Sequence, residues 1–446
     1  MVYPSRLTSI LALCVLLVGL AACNERSPAN NNAPSSAAAS PDTTEQGAPC
    51  DPDDGSIALP DGFCATVVAD DLGTARHLAV QDDGDVYVKL RETEDGGGIV
   101  ALRDTDGDYK ADVTKRFGDF GGTGMALRNG HLYASSTTAV YRWTLPNDAL
   151  VPQGQRQTVA GGFPRQGQHA AKSLALGGGD LYVNVGAPAN ACQEQSRATG
   201  SPGQDPCPLL ERHGGIWQFA LGQTGQTQME NGRRFATGIR NAVALAWHPA
   251  QQQLYLVQHG RDQLHSLWPD LYTEEESAEL PAEEMGRVDE GDNFGWPYCY
   301  YDQIKDQKVL APEYGGDGSE VGRCSSYEDP VVAFPGHWAP NGLHFYTGDQ
   351  FPDRYRGGAF VAFHGSWNRA PKPQAGYRVS FAPFEGGEAT GEYETFADGF
   401  SGSENLGSPS NAEYRPMGLA QGPDGALYLS DSTQGRIWRI TYTGDK

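Results

Sequence analysis

One short pattern recurs six times along the chain: an apolar segment, a tight Gly/Asp turn, then a strand usually written Leu-Tyr or Val-Tyr. The copies read HLAVQDDGDVYVKL from His77, GMALRNGHLYAS from Gly124, SLALGGGDLYVNVG from Ser173, LAWHPAQQQLYLVQHG from Leu245 and GLAQGPDGALYLSD from Gly418. A divergent copy, GLHFYTGDQFPDRYRGGAFVAFHG, starts at Gly342. Each is followed by a further β-like segment: GIVALRD, AVYRWTL, GGIWQFAL, DQLHSLWP, GYRVSFAPF and GRIWRITY. Alternating apolar residues broken by DG or NG turns are hairpin signatures, and repetition at blade-sized intervals is how a propeller is written. The pattern therefore predicts an all-β chain folded as a six-bladed β-propeller. FCATVVA (63–69) is placed to complete the last blade beside the C-terminal strands, and one short helix is expected in EEESAELPAEEMG. Gly 57 and Pro 29 against only 20% charged residues exclude a helical bundle.

The chain carries 33 basic and 56 acidic residues, a net charge of −23. Nucleic acid is excluded as a partner, because phosphate binding needs a basic face. At the start, Arg6 precedes an apolar run from Ile10 to Ala22 that ends Leu20-Ala21-Ala22-Cys23. The run is shorter than the roughly 20 residues of a spanning helix and has the layout of an export signal. Leu-Ala-Ala-Cys resembles a bacterial lipobox. This implies a signal peptide over 1–22, lipidation at Cys23, and a periplasm-facing lipoprotein held at the membrane by that anchor alone. Asn24 after the Cys leans towards the outer membrane. Residues 23–49 are rich in Ala, Ser, Asn and Pro and read as a flexible tether, leaving 50–446 as the propeller.

Six further cysteines remain in that region. An even number in an exported chain favours disulfides, and the sequential pairs close short, turn-rich loops. Cys50–Cys64, Cys192–Cys207 and Cys299–Cys324 are expected. No Cys-x-x-Cys-His motif for covalent haem and no Cys-x₂-Cys zinc pair occurs.

In a propeller the innermost strands surround the axis, so the residues entering them ring one mouth of the channel. Those residues are Arg76; Gly122-Thr123; Gln168-His169-Ala170-Ala171-Lys172; Arg240-Asn241; His337-Trp338-Ala339-Pro340-Asn341; and Glu413-Tyr414-Arg415. A strongly acidic chain thus gathers Arg76, Lys172, Arg240 and Arg415 around one axis. Such a funnel suits a small polyanion, since Arg in particular matches planar carboxylates with a two-pronged fork. The alternative is four separate surface cations with local salt bridges.

The stretches GQHAAKSLALGGGDLYVNVG, TGIRNAVALAWHP, QHGRDQL, AELPAEEMGRVDEGDNFGWPYCYYD, GHWAPNGLHFYTGDQFP, AFVAFHGSWNR and YRPMGLAQGPDGALYLSD resemble, in order, the soluble quinoprotein sugar dehydrogenases. The sorbosone and pyranose dehydrogenase branch is the nearest in pattern, and the likeness runs through nearly all of 57–441. It implies a six-bladed propeller holding pyrroloquinoline quinone (PQQ), a planar tricarboxylate, over the axis with a calcium ion. His169 falls at the family's catalytic base, and Arg240 and Asn241 match its Arg-Asn pair beside the quinone oxygens. Lys172, Arg415 and Arg76 become carboxylate partners, Trp338 a ring that either stacks on the cofactor or belongs to the core, and His364 and Arg369 further residues of the mouth. For calcium the resemblance points to the main chain of Gly260 and Arg261, with Asp262 beside them. The implied activity is oxidation of a sugar or sorbosone-like aldehyde, with electrons passed to an external cytochrome or quinone.

Two departures stand out. Gln168 occupies the place of an acidic residue before the base in the glucose-oxidising branch, which predicts a less basic or differently oriented His169. Gly122-Thr123 replaces a longer polar side chain there. A separate loop carries Asp104, Asp106, Asp108 and Asp112 in a spacing that either wraps a calcium ion or forms a solvated acidic turn. The competing functional readings are a calcium-dependent lactonase-like hydrolase, which needs a carboxylate cage on the axis, and a non-catalytic propeller binding carbohydrate or protein, which needs no base.

Overall fold

A computed structural model describes residues 50–145 and 149–444. The signal segment, Cys23 and the tether lie outside the described residues. Six sheets form the blades, each with four antiparallel strands; the second gains a short fifth strand, Gln226–Thr227, paired in parallel with Gln157–Gly161, and two small two-stranded hairpins lie outside the blades. Blade 1 comprises Ala75–Val80, Val86–Glu94, Gly97–Arg103 and Val113–Phe117; blade 2 comprises Met125–Arg128, His131–Ser135, Val140–Thr144 and Gln157–Gly161. Blade 3 follows with Leu174–Gly177, Asp180–Val185, Gly215–Ala220 and Arg233–Thr237, and blade 4 with Ala244–His248, Gln253–Gln258, Glu283–Val288 and Val332–Phe334. Blade 5 is built from Pro340–Phe345, Ala359–Phe363, Arg378–Ala382 and Glu394–Ala397. Blade 6 takes Pro416–Gln421, Leu427–Asp431 and Ile437–Tyr442 from the C-terminus and Phe63–Ala69 from the N-terminus. The first strand of each blade packs against the first strands of its two neighbours, so the six close a ring about the axis.

Local sequence explains the hairpins. Arg128 pairs with His131 across Asn129-Gly130, both at positive φ (51° and 71°), the requirement of a type I′ turn. Gly178 and Gly179 (59° and 96°) repeat this between Gly177 and Asp180. Alternation then sends one face of every sheet into the next blade. The core is accordingly a set of wedges. Tyr87 and Ile99 of blade 1 meet Leu132 and Trp143 of blade 2. Leu181 and Trp217 of blade 3 meet Tyr133 and Val140 of blade 2. Tyr182 and Ile216 meet Leu254 and Leu256 of blade 4. Val257 meets Leu343 and Phe363 of blade 5, and Phe360 and Phe381 meet Leu427 and Trp438 of blade 6. The ring closes where Val68 and Tyr428 pack on Leu78 and Val88.

The three expected disulfides are present, Cys50–Cys64, Cys192–Cys207 and Cys299–Cys324. The expected short helix is Glu274–Glu279, opened by a capping box between Thr273 and Glu276. One expectation is corrected. DQLHSLWP does not supply a strand; Gln263 turns left-handed (φ 65°) and Leu264–Leu267 forms a single helical turn. The third strand of blade 4 is instead Glu283–Val288, whose two leading glutamates are buried. Glu284 is paired with Lys308 at 2.7 Å, and Glu283 accepts from the amides of Gly260 (2.9 Å) and Ala339 (3.1 Å). No helix among the described residues is long and apolar enough to cross a membrane.

The closing strand is held by Phe63, whose ring meets Phe351, Phe396 and Tyr442 at 4.8, 5.0 and 4.9 Å. Phe63→Ala removes an aromatic anchor from a packed wedge and is expected to cost about 3–5 kcal/mol. Chemical unfolding followed by tryptophan fluorescence reads this as a lowered midpoint, with Ile304→Ala, 65% exposed, as the near-neutral control.

Candidate active site

The loops entering the first strands enclose a cavity of about 610 Å³ at one mouth of the channel. Arg76, His169, Lys172, Asn241, His364 and Arg415, all singled out in the sequence, line it. Asn341, also at a strand entry, joins them, and the structure adds Arg91, Glu92, His259 and Trp367. Arg91 sits inside the second strand of blade 1, where no loop position marks it.

The electrostatics of this cavity are unusual for an acidic chain. Arg76, Arg91, Lys172 and Arg415 line it against the single carboxylate of Glu92. None of the five forms a salt bridge among the described residues. Arg76 has only Thr123 Oγ1 at 3.4 Å, and burial, with Arg91 and Arg415 nearby, pushes its guanidinium down to about 9. Lys172 is fully buried; its ammonium donates to the Ala170 carbonyl at 2.9 Å, and burial lowers it to about 8. Arg415 donates to the carbonyls of His364 (2.9 Å) and Gly365 (3.0 Å). Its backbone is set by Asp431, which accepts the amides of Arg415, Thr433, Gln434 and Gly435. A buried Lys172 and half-buried Arg76 and Arg415 without counter-ions cost free energy that an anion would recover, while Arg91 stands exposed at the rim.

His169 enters this cavity in a left-handed conformation (φ 51°), an uncommon one for a non-glycine residue. Its Nδ1 lies 2.5 Å from the Ala187 carbonyl, which can only accept, so Nδ1 carries the proton and Nε2 keeps its lone pair. Gln166 Nε2 ties the loop to the carbonyls of His169 and Gly186 at 2.8 and 2.9 Å. Gly186 must be glycine here: a Cβ would come within 2.8 Å of His169 Cβ and 2.7 Å of Asn241 Oδ1. Burial, then Arg240, push the imidazole down to about 3. His77 and His259, bonded to the carbonyls of Asn341 and Pro340, are likewise pushed to about 4, mainly by burial.

Other expected site residues are placed elsewhere. Arg240 lies beneath the lining, 3% exposed, with Nη2 at 2.8 Å from Asp262 and Nη1 at 2.7 Å from the Gly260 carbonyl. Asp262 also meets Arg197 at 3.0 Å; burial would raise this carboxyl, but the two arginines hold it well below the usual range. Arg261 turns its side chain to Glu313. Glu283, unmarked in the sequence, sits under this cluster with its carboxyl pushed up to about 8 by burial. Trp338 is corrected to a core residue, packed edge-on to Phe363 (5.2 Å) and Tyr393 (6.0 Å). Arg369 is corrected to an anchor: it donates to the Gly336 carbonyl (2.9 Å) and to Glu279 (2.8 Å), away from the cavity. Of the acidic loop, Asp104, Asp106 and Asp108 bring one carboxylate oxygen each within 4.8 Å of the others. Asp112 is turned to Thr105, and Asp104 accepts the loop's own amides at 106, 107 and 109.

The structure is thus a six-bladed propeller with a cation-lined axial cavity into which the unprotonated Nε2 of His169 opens. A family described as TrAA12-like matches residues 57–443, and the chain belongs to that family. The pyrroloquinoline quinone-dependent pyranose dehydrogenase of Coprinopsis cinerea is 26% identical over 280 residues, 54% of this chain and 36% of that protein. An uncharacterized protein of Borreliella burgdorferi is 29% identical over 209 residues, 46% of this chain and 48% of that one. The chain thus matches less than half the length of these curated relatives. Among solved structures, the holo PQQ domain of the C. cinerea pyranose dehydrogenase superposes with TM-score 0.69 at 19% identity, over 86% of this chain and 97% of that one. The calcium structure of a Trichoderma reesei family AA12 enzyme gives 0.70 at 19%, over 87% and 97%. The PQQ-bound aldose sugar dehydrogenase of Streptomyces coelicolor gives 0.52 at 19%, over 86% and 99%. At such identities these likenesses establish the fold.

A histidine held at about 3 in the folded chain, against 6.5 when unfolded, is neutral in the native state and protonated in the unfolded one at intermediate pH. Its contribution to stability is complete above about pH 6.5 and is lost as pH falls towards 3. His169→Asn is expected to make that part of the stability-against-pH curve less steep by the share of one of several buried histidines, measured as thermal midpoints across the interval.

Proposed function

We propose that the protein is a PQQ-dependent dehydrogenase that oxidises a sugar or related aldehyde and passes the electrons to an external acceptor such as a cytochrome or quinone. The observation that carries this is the cavity's charge: four cations against one carboxylate, none paired, at the axis of a chain of net charge −23. A planar tricarboxylate fits that surplus. The cavity volume falls within the range of about 300–1,000 Å³ usual for small-molecule sites. Arg76, Lys172 and Arg415 would hold the carboxylates, and Ala170, Ala171 and Val243 leave apolar wall for a flat ring. When bound, PQQ supplies a two-electron acceptor for the hydride that leaves the substrate carbon.

The chain's own chemistry is proton removal. His169 Nε2 takes the proton of the substrate hydroxyl, while the Ala187 carbonyl holds Nδ1–H and stabilises the imidazolium that forms. Burial is the larger cause of the downward shift of His169 and Arg240 the next; an anion bound nearby opposes the Arg240 part and raises its basicity to that extent. Asn184 braces Asn241 at 3.3 Å, and Arg240 beneath it contributes positive potential from a fixed position.

Calcium is implied by the family resemblance as well. At 260–262 the Gly260 carbonyl and one Asp262 oxygen meet the Arg240 guanidinium, so an ion held there would share these oxygens with Arg240 and draw on the Arg261 carbonyl. A lactonase-like hydrolase would need several axial carboxylates, and Glu92 is the one that lines this cavity. Placement as a periplasm-facing, outer-membrane lipoprotein belongs to the same proposal, supported by the Leu-Ala-Ala-Cys23 stretch.

Calorimetric titration of PQQ into the full chain, with and without calcium, is expected to show one-to-one binding. Arg76→Ala is expected to weaken it about 10- to 100-fold, the worth of one charge-assisted hydrogen bond. His169→Asn is expected to keep that affinity while dye-coupled sugar oxidation falls about 10²- to 10⁴-fold. Absence of binding under both conditions refutes the proposal.

A further inference from the structure

Trp367 stands out among the large apolar side chains. Four such side chains are exposed among the described residues, and Trp367, at 56%, is the one aromatic among them. It is also the sole aromatic lining the axial cavity, whose other walls are charged, polar or small. The loop that carries it, between the second and third strands of blade 5, is pinned on both sides. Ser366, 1% exposed, donates to Gln374 Oε1 at 2.8 Å, accepts the Ala375 amide at 2.9 Å, and its carbonyl accepts the Tyr377 hydroxyl at 2.7 Å. Arg369, 7% exposed, is locked to Gly336 and Glu279, and Lys372 joins Glu279 at 2.6 Å. An indole held out by a rigid, well-anchored loop is a presented surface rather than a frayed one.

A pyranose is amphipathic in the same sense as an indole: a C–H face that prefers an apolar wall and a hydroxyl rim that prefers polar partners. His169 offers the polar partner for one hydroxyl, and Trp367 is the only broad apolar face in the same cavity. We infer that Trp367 is the platform on which the substrate's ring rests, positioning a pyranose hydroxyl towards His169 and selecting ring sugars over small open-chain aldehydes. This rests on the proposed dehydrogenase reading.

Two measurements on the full chain test it. With PQQ bound, Trp367→Ala is expected to raise the KM for the aldopyranose turned over best in a panel about tenfold, with kcat and PQQ affinity nearly unchanged and Trp367→Phe largely restoring KM. Glycolaldehyde, which has no ring to stack, should show no such penalty. Without PQQ, iodide quenching of tryptophan fluorescence reports the exposed indole directly; aldopyranose at high concentration is expected to protect a quenchable fraction that Trp367→Ala removes. Loss of PQQ affinity in Trp367→Ala with KM unchanged would make the indole a cofactor contact and overturn the inference. An unchanged KM, or no sugar protection from iodide, overturns it too. If wild-type chain fails to bind PQQ, the dehydrogenase reading fails, while the iodide measurement still decides whether Trp367 meets sugar.

Discussion

Closure of the ring governs everything else in this molecule. Phe63–Ala69 hydrogen-bonds to Ile437–Tyr442, joining the two ends of the domain in one blade. Only with that join do the six first strands converge, and only then do loops more than 300 residues apart in sequence, such as those of Arg76 and Arg415, face one cavity. Cys50–Cys64 fastens the same strand covalently. Because each wedge of core is shared by two blades, loosening one join exposes apolar surface on both sides of it. The inserts are carried outside this frame, with Cys192–Cys207 and Cys299–Cys324 bracing those of blades 3 and 4.

The second constraint is electrostatic. Several buried charges elsewhere are paired, Lys308 with Glu284, Arg261 with Glu313 and Arg240 with Asp262, while buried Lys89 donates to the carbonyls of Gly98 and Phe120. At the axial mouth several cations gather around one cavity without a carboxylate partner. Arg76, Lys172 and Arg415 have Thr123 and backbone carbonyls as side-chain partners, Arg91 stands exposed beside them, and burial lowers the pKa of Arg76 and Lys172. Cations without carboxylate partners gathered around one cavity suit an anionic ligand. The basicity of His169 is lowered mainly by burial and next by Arg240, so an anion bound nearby opposes only the smaller part.

Much of this was legible in the residues. Asn-Gly and Asp-Gly turns at regular intervals revealed the blades, and FCATVVA revealed the closing strand, because hairpin chemistry is local. The ring of Arg76, His169, Lys172, Asn241 and Arg415 was legible because all stand just before a repeated strand. What stayed hidden depends on contacts distant in sequence. Glu283–Val288 does not read as a buried strand, since its two glutamates find Lys308, Gly260 and Ala339 only in the fold. Arg369 reads as a site residue until Glu279, 90 positions away, claims it. Trp338 and Trp367 are chemically alike; which one is core depends on the path of the loop after blade 5's second strand, which no local pattern encodes.

The central claim is that the axial cations form a cofactor site rather than a set of idle charges. A crystal structure of the protein soaked with PQQ tests it most directly. The account predicts a flat ligand in the cavity lined by His169, with its carboxylates against Arg76, Lys172 and Arg415 and little movement of the surrounding blades. PQQ bound elsewhere on the molecule, or a cavity that stays free of it at saturating concentration, would contradict the account.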